Sequence, residues 1–489
     1  MTIDELTTIE WFEAGIISLA ILSLMVISQI ISVKTTINKE YTRKLVHFGA
    51  GCIVCLFPFV FESLGSVFLL SSVFLVIMAG SKMQHKLDAV HEIGRVSAGA
   101  FLYPVAVFII FWFSGGDWLY FLVPMLLLTI SDAAAAIIGK EYGYIQYSVN
   151  RQTRSLEGSF NFFMISFVVV LIPVLLSHQV QNESAILLAL QLALLITAIE
   201  SVSVYGIDNL LIPVVGFVGL FYLMPMEPAR LITHISILVS AFIILLAVNK
   251  WKQLTISGII GLSLMLYAIY SWGGWHWLIP SVWYCLTFNL GVKLTGFNRR
   301  SLTVLSREKS NGLYEISAVF HLSAVPLFVL VLNLVYPAPY YFSLFIALVG
   351  VATAISYYQF TPYVLKKYRV SSVPRKSKRS QFFRFAISMM GTSVIYGLAV
   401  LSGRELMHSI WSQITVSMAG ILLMIFFHRY IIKRYRCMHC DRKVVTPVHC
   451  GEDAEPISGY RIIGMWQGVF LTMLLMALLM VAINRMGIV

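Results

Sequence analysis

Apolar residues in this chain run on in continuous stretches of ~20 residues, the length a helix needs to cross a hydrocarbon core. Each stretch stops at a short polar turn. Sixteen such stretches can be read, near 12–33, 45–61, 64–80, 97–113, 118–138, 160–177, 186–204, 209–225, 231–248, 254–271, 277–292, 314–335, 340–362, 383–401, 408–428 and 462–483. The period-two alternation of a membrane β-barrel strand is missing. The pattern predicts an all-α, polytopic integral membrane protein of about sixteen spans, with short loops and no sizeable soluble domain.

The basic residues orient these spans. With the N-terminus outside, every lysine and arginine among the 35 falls on the inner side except Arg230, Arg404 and Arg485. Cytoplasmic loops carry such an excess, and one missed helix would invert every later loop.

Composition narrows the class further. Of 489 residues, 58% are hydrophobic and 12% charged, and the mean hydropathy is +0.83. Soluble proteins carry about a quarter charged residues, so a soluble enzyme, a disordered chain and a coiled coil are excluded. The net charge of +12 sits in loops that face anionic lipid headgroups. No separate basic domain is present to bind nucleic acid. The basic loop KKYRVSSVPRKSKRSQ is expected to set topology and meet headgroups. Residues 1–13 are acidic, unlike a cleavable signal peptide, so the run from Phe12 to Val33 is expected to remain as a helix.

Polar residues gather where the first eight spans reach the inner face. They are Arg43-Lys44-x-x-His47, Glu92-x-x-Arg95-x-Ser97-x-Gly99, Ser131-Asp132, Gly139-Lys140-x-x-Gly143, Arg154-Ser155-Leu156-Glu157-Gly158-Ser159, Glu200 and Gly206-Ile207-Asp208-Asn209. Asp132 and Glu200 each follow a long apolar run, where an acid is costly and marks a functional site. Plainer roles compete at the other positions. Arg43-Lys44 could be a topology anchor, Glu92 and Arg95 an i,i+3 pair, and Gly139 a helix C-cap. Ser155 or Ser159, and Asp208-Asn209, could be caps.

These residue types suit phosphoryl transfer. Carboxylates (Asp132, Glu157, Glu200 and Asp208) can hold a hard divalent cation such as Mg²⁺ through oxygen. Arg43, Lys44, Arg95, Lys140 and Arg154 can neutralise phosphates, and glycines let backbone N–H groups approach them. An acid beside an acceptor hydroxyl can orient it or take its proton. No GxxxxGK[ST] loop occurs, which argues against a Walker-type nucleotide fold.

The stretches RKLVHFGAG (43–51), HEIGRVSAGAFLYP (91–104), SDAAAAIIGKEYG (131–143), RSLEGSFNFF (154–163) and ESVSVYGIDNLLIP (200–213) together resemble the phytol kinase and dolichol kinase family. These are integral-membrane lipid kinases using CTP or a related nucleotide, distantly related to CDP-diacylglycerol synthases. The resemblance implies a nucleotide and Mg²⁺ region at Asp132 and Glu157, with Asp208 beside them in the catalytic set. It implies phosphate contacts from Lys140 and Arg154, supported by Gly139, Ser155, Gly158, Glu200 and Asn209. Arg43, Lys44, His47 and Arg95 would complete a polar cavity open to the cytoplasm. Arg154 stands where many relatives carry lysine.

The implied acceptor is an isoprenoid alcohol or diacylglycerol and the donor CTP or ATP; the expected location is a bacterial plasma membrane, with an endoplasmic-reticulum membrane as the alternative. Two alternatives are a phosphatidate cytidylyltransferase-like nucleotidyl transferase and a non-enzymatic lipid transporter. Transporters often show inverted repeats, and none is visible here.

The implied organisation is a kinase-like domain over 1–250, a second multi-span domain over 251–428, a cytoplasmic loop over 429–461 and a last helix in 462–489. Residues 257–280 and 293–315 resemble the phytyl-phosphate kinase family. The counterpart of that family's Ala-Asp-Thr-x-Ala-Ser-Glu stretch reads Ala354-Ile355-Ser356-Tyr357-Tyr358-Gln359. It has no carboxylate, so a structural or lipid-binding role is expected there.

Of six cysteines, Cys437, Cys440 and Cys450 with His449 have the spacing of a structural zinc knuckle. Cys52 and Cys55 lie in an apolar run and are expected to pack.

Overall fold

The computed structural model describes residues 9–35, 39–83, 98–149, 152–249, 254–294 and 316–335, with Pro337, Tyr341, Phe342, Phe345, Ile346 and Val349. Every apolar run expected up to residue 335 falls on a helix. The runs at 383–401, 408–428 and 462–483, most of 340–362, and the Cys437–Cys450 loop lie outside the described residues. Seven of the described helices are long and apolar enough to cross a membrane, and three more are apolar but shorter.

The described residues divide into two compact units, one through Ser240 and one from Ala241. The first unit begins with α1 (Trp11–Lys34), α2 (Lys39–Val54), α3 (Leu64–Met83) and α4 (Gly99–Ser114). α5 (Trp118–Leu126) continues through a π-helical turn, Leu127–Ser131, into α6 (Asp132–Glu141). Then come β1 (Gln146–Val149), β2 (Gln152–Ser155), α7 (Leu156–Ser177), α8 (Asn182–Val202) and α9 (Asp208–Leu223), with α10 (Pro228–Val248) entering the second unit.

α1 shows why a bilayer suits this unit. Its buried residues, Ala14, Ile17, Ile21, Met25 and Ser28, recur every three or four positions. Its opposite face, including Ile16, Leu19, Val26 and Ile30, is exposed yet equally apolar. A helix apolar all round needs lipid on its open side. The Glu10 carboxylate accepts the Glu62 N–H at 2.9 Å, and Glu10 N–H donates to Ser66 Oγ at 2.9 Å. These bonds pin the start of α1 to the first turn of α3 and to Glu62 in the connection before it. Ser28 Oγ donates to the Thr42 carbonyl at 3.0 Å, pinning its end to α2.

α8 forms the centre of the unit, packed between α7 and α9. α6 and α7 approach closely because both present glycine: a Cβ on Gly158 would lie 3.0 Å from Gly139 Cα and 3.2 Å from the Ala135 carbonyl oxygen. α6 runs on to Glu141, so Gly139 is a crossing point and not a C-cap. The antiparallel β1–β2 hairpin pairs Tyr147 with Arg154. It interrupts the all-helical chain that the apolar runs predict, because four-residue strands in a polar connection carry no hydrophobic period of their own.

In the second unit the runs expected at 254–271 and 277–292 form one element, α11 (Ile256–Leu294). It is broken at Gly274, whose φ of 72° and ψ of −168° only glycine adopts readily. Leu245 of α10 and Ile259, Leu266 and Leu278 of α11 pack into one apolar cluster. α11 meets α12 (Ile316–Val335) where Gly261 faces Ile316.

Overpacking typically costs about 1–3 kcal/mol, and the backbone atoms facing Gly158 cannot rotate away. We expect Gly158→Ala to lower the melting temperature in detergent. Gly15→Ala, where nothing lies within 4 Å of the new Cβ, should leave it unchanged or raise it. Unchanged melting of G158A would contradict the close crossing.

Candidate active site

Elements far apart in sequence bring their polar ends to one cavity of about 920 Å³ in the first unit. That is near the upper end of the about 300–1,000 Å³ typical of small-molecule pockets. Four cationic side chains line it, Arg43, Lys44, Lys140 and Arg154, together with three acids, Asp132, Glu200 and Asp208.

Asp132 opens α6, immediately after the π-helical turn. Such turns are rare and recur at functional sites. Lys44, His47 and Gly51 occupy one face of α2 at helical spacing. Gly51 lets α2 approach the turn, since a Cβ there would collide with the Thr129 side chain. Lys44 Nζ therefore reaches Asp132 Oδ2 at 2.6 Å. His47 Nε2 lies 3.5 Å from the same oxygen and 3.3 Å from the Leu128 carbonyl. Both neighbours are acceptors, which assigns the proton of a neutral imidazole to Nε2 and leaves Nδ1 as an acceptor.

Arg154 makes the second cluster. From β2 its guanidinium pairs with Glu200 at the end of α8, donates to the Ser203 carbonyl at 2.7 Å and lies 3.8 Å from Asp208 Oδ2 at the start of α9. A planar fork of five N–H donors serves several acceptors from one fixed position. The hairpin that carries it is fastened by Tyr147 OH to Ser159 Oγ at 2.8 Å, and Ser201 Oγ donates to Ser159 Oγ at 3.3 Å.

The turn after Ser203 holds Tyr205 (φ 59°) and Gly206 (φ 79°) left-handed. Ala98 N–H donates to the Tyr205 carbonyl at 2.8 Å, and a Cβ on Gly99 would lie 2.8 Å from Asn209 Nδ2. The α8–α9 turn is thereby docked on the start of α4, with Asn209 on the cavity wall.

Not every expected residue takes the expected position. Glu157 does not line this cavity; its carboxylate accepts the Ile145 N–H through both oxygens, at 3.0 and 3.2 Å. Ser155 lines the cavity and also caps α7, accepting the Gly158 N–H at 3.1 Å. Lys140 lines the cavity and lies 4.7 Å above the Tyr41 ring, while Tyr41 OH donates to Glu141. Gly139 and Gly158 line it at the α6–α7 crossing. Arg95, with Glu92, lies outside the described residues.

Among the described residues, no three His, Cys, Asp or Glu side chains form a metal cage. Mg²⁺ asks for less, taking one or two protein carboxylates and otherwise phosphate oxygens and water. Asp132, Glu200 and Asp208 are the carboxylates that line the cavity.

Comparison with known proteins gives the family context. A phytol kinase from Synechocystis sp. is 28% identical to this chain over 207 residues, which is 42% of this chain and 88% of that relative. That segment is phytol kinase-like. No family model and no solved structure matches the chain.

Sequence reasoning passed over Tyr103, Gln146, Gln152 and Tyr205, which also line the cavity. Tyr103 had a visible signal, as a hydroxyl in an apolar run one residue before a proline. The two glutamines had none, because the hairpin that presents them was not foreseen.

Removing one partner of a buried ion pair costs about 3–5 kcal/mol. We expect R154M to lower the melting temperature, the double variant R154M/E200Q to recover part of the loss, and R154K to fall between R154M and wild type. Wild-type melting of R154M would contradict the clamp.

Proposed function

We propose that this chain is a membrane lipid-alcohol kinase, moving the terminal phosphoryl group of CTP or ATP to an isoprenoid alcohol. The observation that carries this reading is the single cavity where Lys44 holds Asp132 and Arg154 holds Glu200 and Asp208. The phytol kinase relative supports it. The asymmetry of lysine and arginine supports placing this end of the bundle on the cytoplasmic side.

In this reading Arg43, Lys44, Lys140 and Arg154 surround the phosphates. A preset arrangement of donors and cations stabilises charge as it shifts toward the leaving nucleoside diphosphate. Asp132 orients the acceptor hydroxyl and takes its proton as the new P–O bond forms and the bond to the diphosphate breaks. Lys44 and His47 hold Asp132 ionised and aimed. Mg²⁺, when bound at Asp132, Glu200 or Asp208, supplies charge neutralisation and alignment of the phosphate oxygens.

The test is transfer of label from γ-labelled CTP or ATP to phytol, geranylgeraniol, a polyprenol or diacylglycerol by purified protein in lipid. We expect a labelled lipid monophosphate and a nucleoside diphosphate. Asp132→Asn should lower kcat by about 10²–10⁴-fold. Release of pyrophosphate with a nucleotidyl-lipid product, or full activity in D132N, would overturn the proposal.

A further inference from the structure

The cavity does not end at its charged walls. Arg43, Val46, Ala50 and Val54 line it from α2, in a row that starts charged and becomes apolar. At 1.5 Å per residue this row runs about 16 Å along the helix. Ile21 and Met25 of α1, Leu70, Phe74 and Met78 of α3, and Tyr103, Pro104 and Val107 of α4 share this wall at helical spacing. α2 makes its contacts with α1 and with the α5–α6 rod, whereas α3 packs chiefly on α4. An apolar arm therefore lies between two helix pairs, and it is continuous with the polar end.

Tyr103 stands where the two ends meet. Its ring is edge-on to His47 at 5.4 Å, and its buried hydroxyl has no hydrogen-bond partner among the described residues. A buried hydroxyl without a partner is costly, and a ligand hydroxyl at that level would satisfy it. An occupant of this cavity must be charged or hydroxylic at one end and hydrocarbon along the rest.

We infer that the arm between α2 and the α3–α4 pair holds the hydrocarbon chain of the acceptor lipid, with Tyr103 positioning its hydroxyl beside His47 and Asp132. Val54, Leu70 and Val107 lie furthest from the charged end along their helices and limit chain length. α1 and α3 touch only lightly, and the seam between them is the side from which a bilayer lipid reaches the arm. The inference rests on the lipid-alcohol kinase reading for the identity of the head group, and on the walls alone for the site of the chain.

Two readouts on the full-length protein in lipid separate the inference from that reading. The first is photocrosslinking with a geranylgeraniol analogue bearing a diazirine on its tail, with labelled peptides mapped by mass spectrometry. We expect label in α1–α4 at or next to Ile21, Val54, Leu70 or Val107, competed by unlabelled geranylgeraniol. Label confined to other helices overturns the tail site even if the protein phosphorylates the alcohol. Label in the arm without phosphate transfer to any alcohol supports the tail site and removes the kinase reading.

The second readout is chain-length preference in V107W and L70W, which fill the deep end. kcat/KM for geranylgeraniol should fall about tenfold or more, while that for prenol, whose five-carbon chain ends short of these residues, should fall far less. Equal losses for both alcohols, or no loss, overturn the assignment. Y103F should raise KM for geraniol with nucleotide KM unchanged. An effect on nucleotide KM alone would remove Tyr103 from the acceptor side.

Discussion

An ionised carboxylate in an apolar bundle persists only while a cation or several donors are held against it. Asp132 and Glu200 are 9% and 6% exposed, and each has a cation delivered from another element, Lys44 from α2 and Arg154 from β2. Asp208 adds the start of α9 to the second pairing. These two clusters fix how α2, α6, the hairpin, α8 and α9 meet at one end of the unit. Apolar packing brings the same helices together but is tolerant of sliding, and charge pairing is not.

Burial of an ion pair is weak ground for stability, because desolvation offsets much of the attraction. Charges kept in so apolar a bundle need another reason, and the cavity they line supplies it. The close approaches around them serve the same end. Gly51 admits the Thr129 side chain, Gly139 meets Gly158, and Gly99 admits Asn209. Each small residue lowers a helix onto its neighbour where a charged or polar side chain must reach across. Pro104 and Pro213 act at the same level, since neither can donate an N–H to the carbonyl four residues back, at Ala100 and Asn209 on the cavity wall. Membrane helices tolerate such prolines when neighbours satisfy the backbone.

Much of this was legible in the sequence. Apolar runs bounded by charge gave the helices, because nothing in a bilayer competes with intrahelical hydrogen bonds. The convergence of Lys44, His47, Asp132, Lys140, Arg154, Glu200 and Asp208 followed from counting spans, since alternate helix ends share a face. Glu157 shows where that reasoning stops. It sits at the right end of α7, yet a turn of the chain places the Ile145 N–H within reach and draws the carboxylate away. The π-helical turn before Asp132 was equally hidden, as LLTIS reads as ordinary helix. The break at Gly274 fell between two expected runs, but a bend and a loop leave the same gap in an apolar pattern.

The central claim is that a nucleoside triphosphate binds among these charges. Photolabelling with an azido-CTP or azido-ATP, in the presence of Mg²⁺ and with peptide mapping, tests it directly. The account predicts label on peptides containing Arg43–His47, Asp132–Lys140, Arg154–Ser159 or Glu200–Asn209, suppressed by excess unlabelled nucleotide. Suppressible label confined to peptides beyond Ala241 would contradict it.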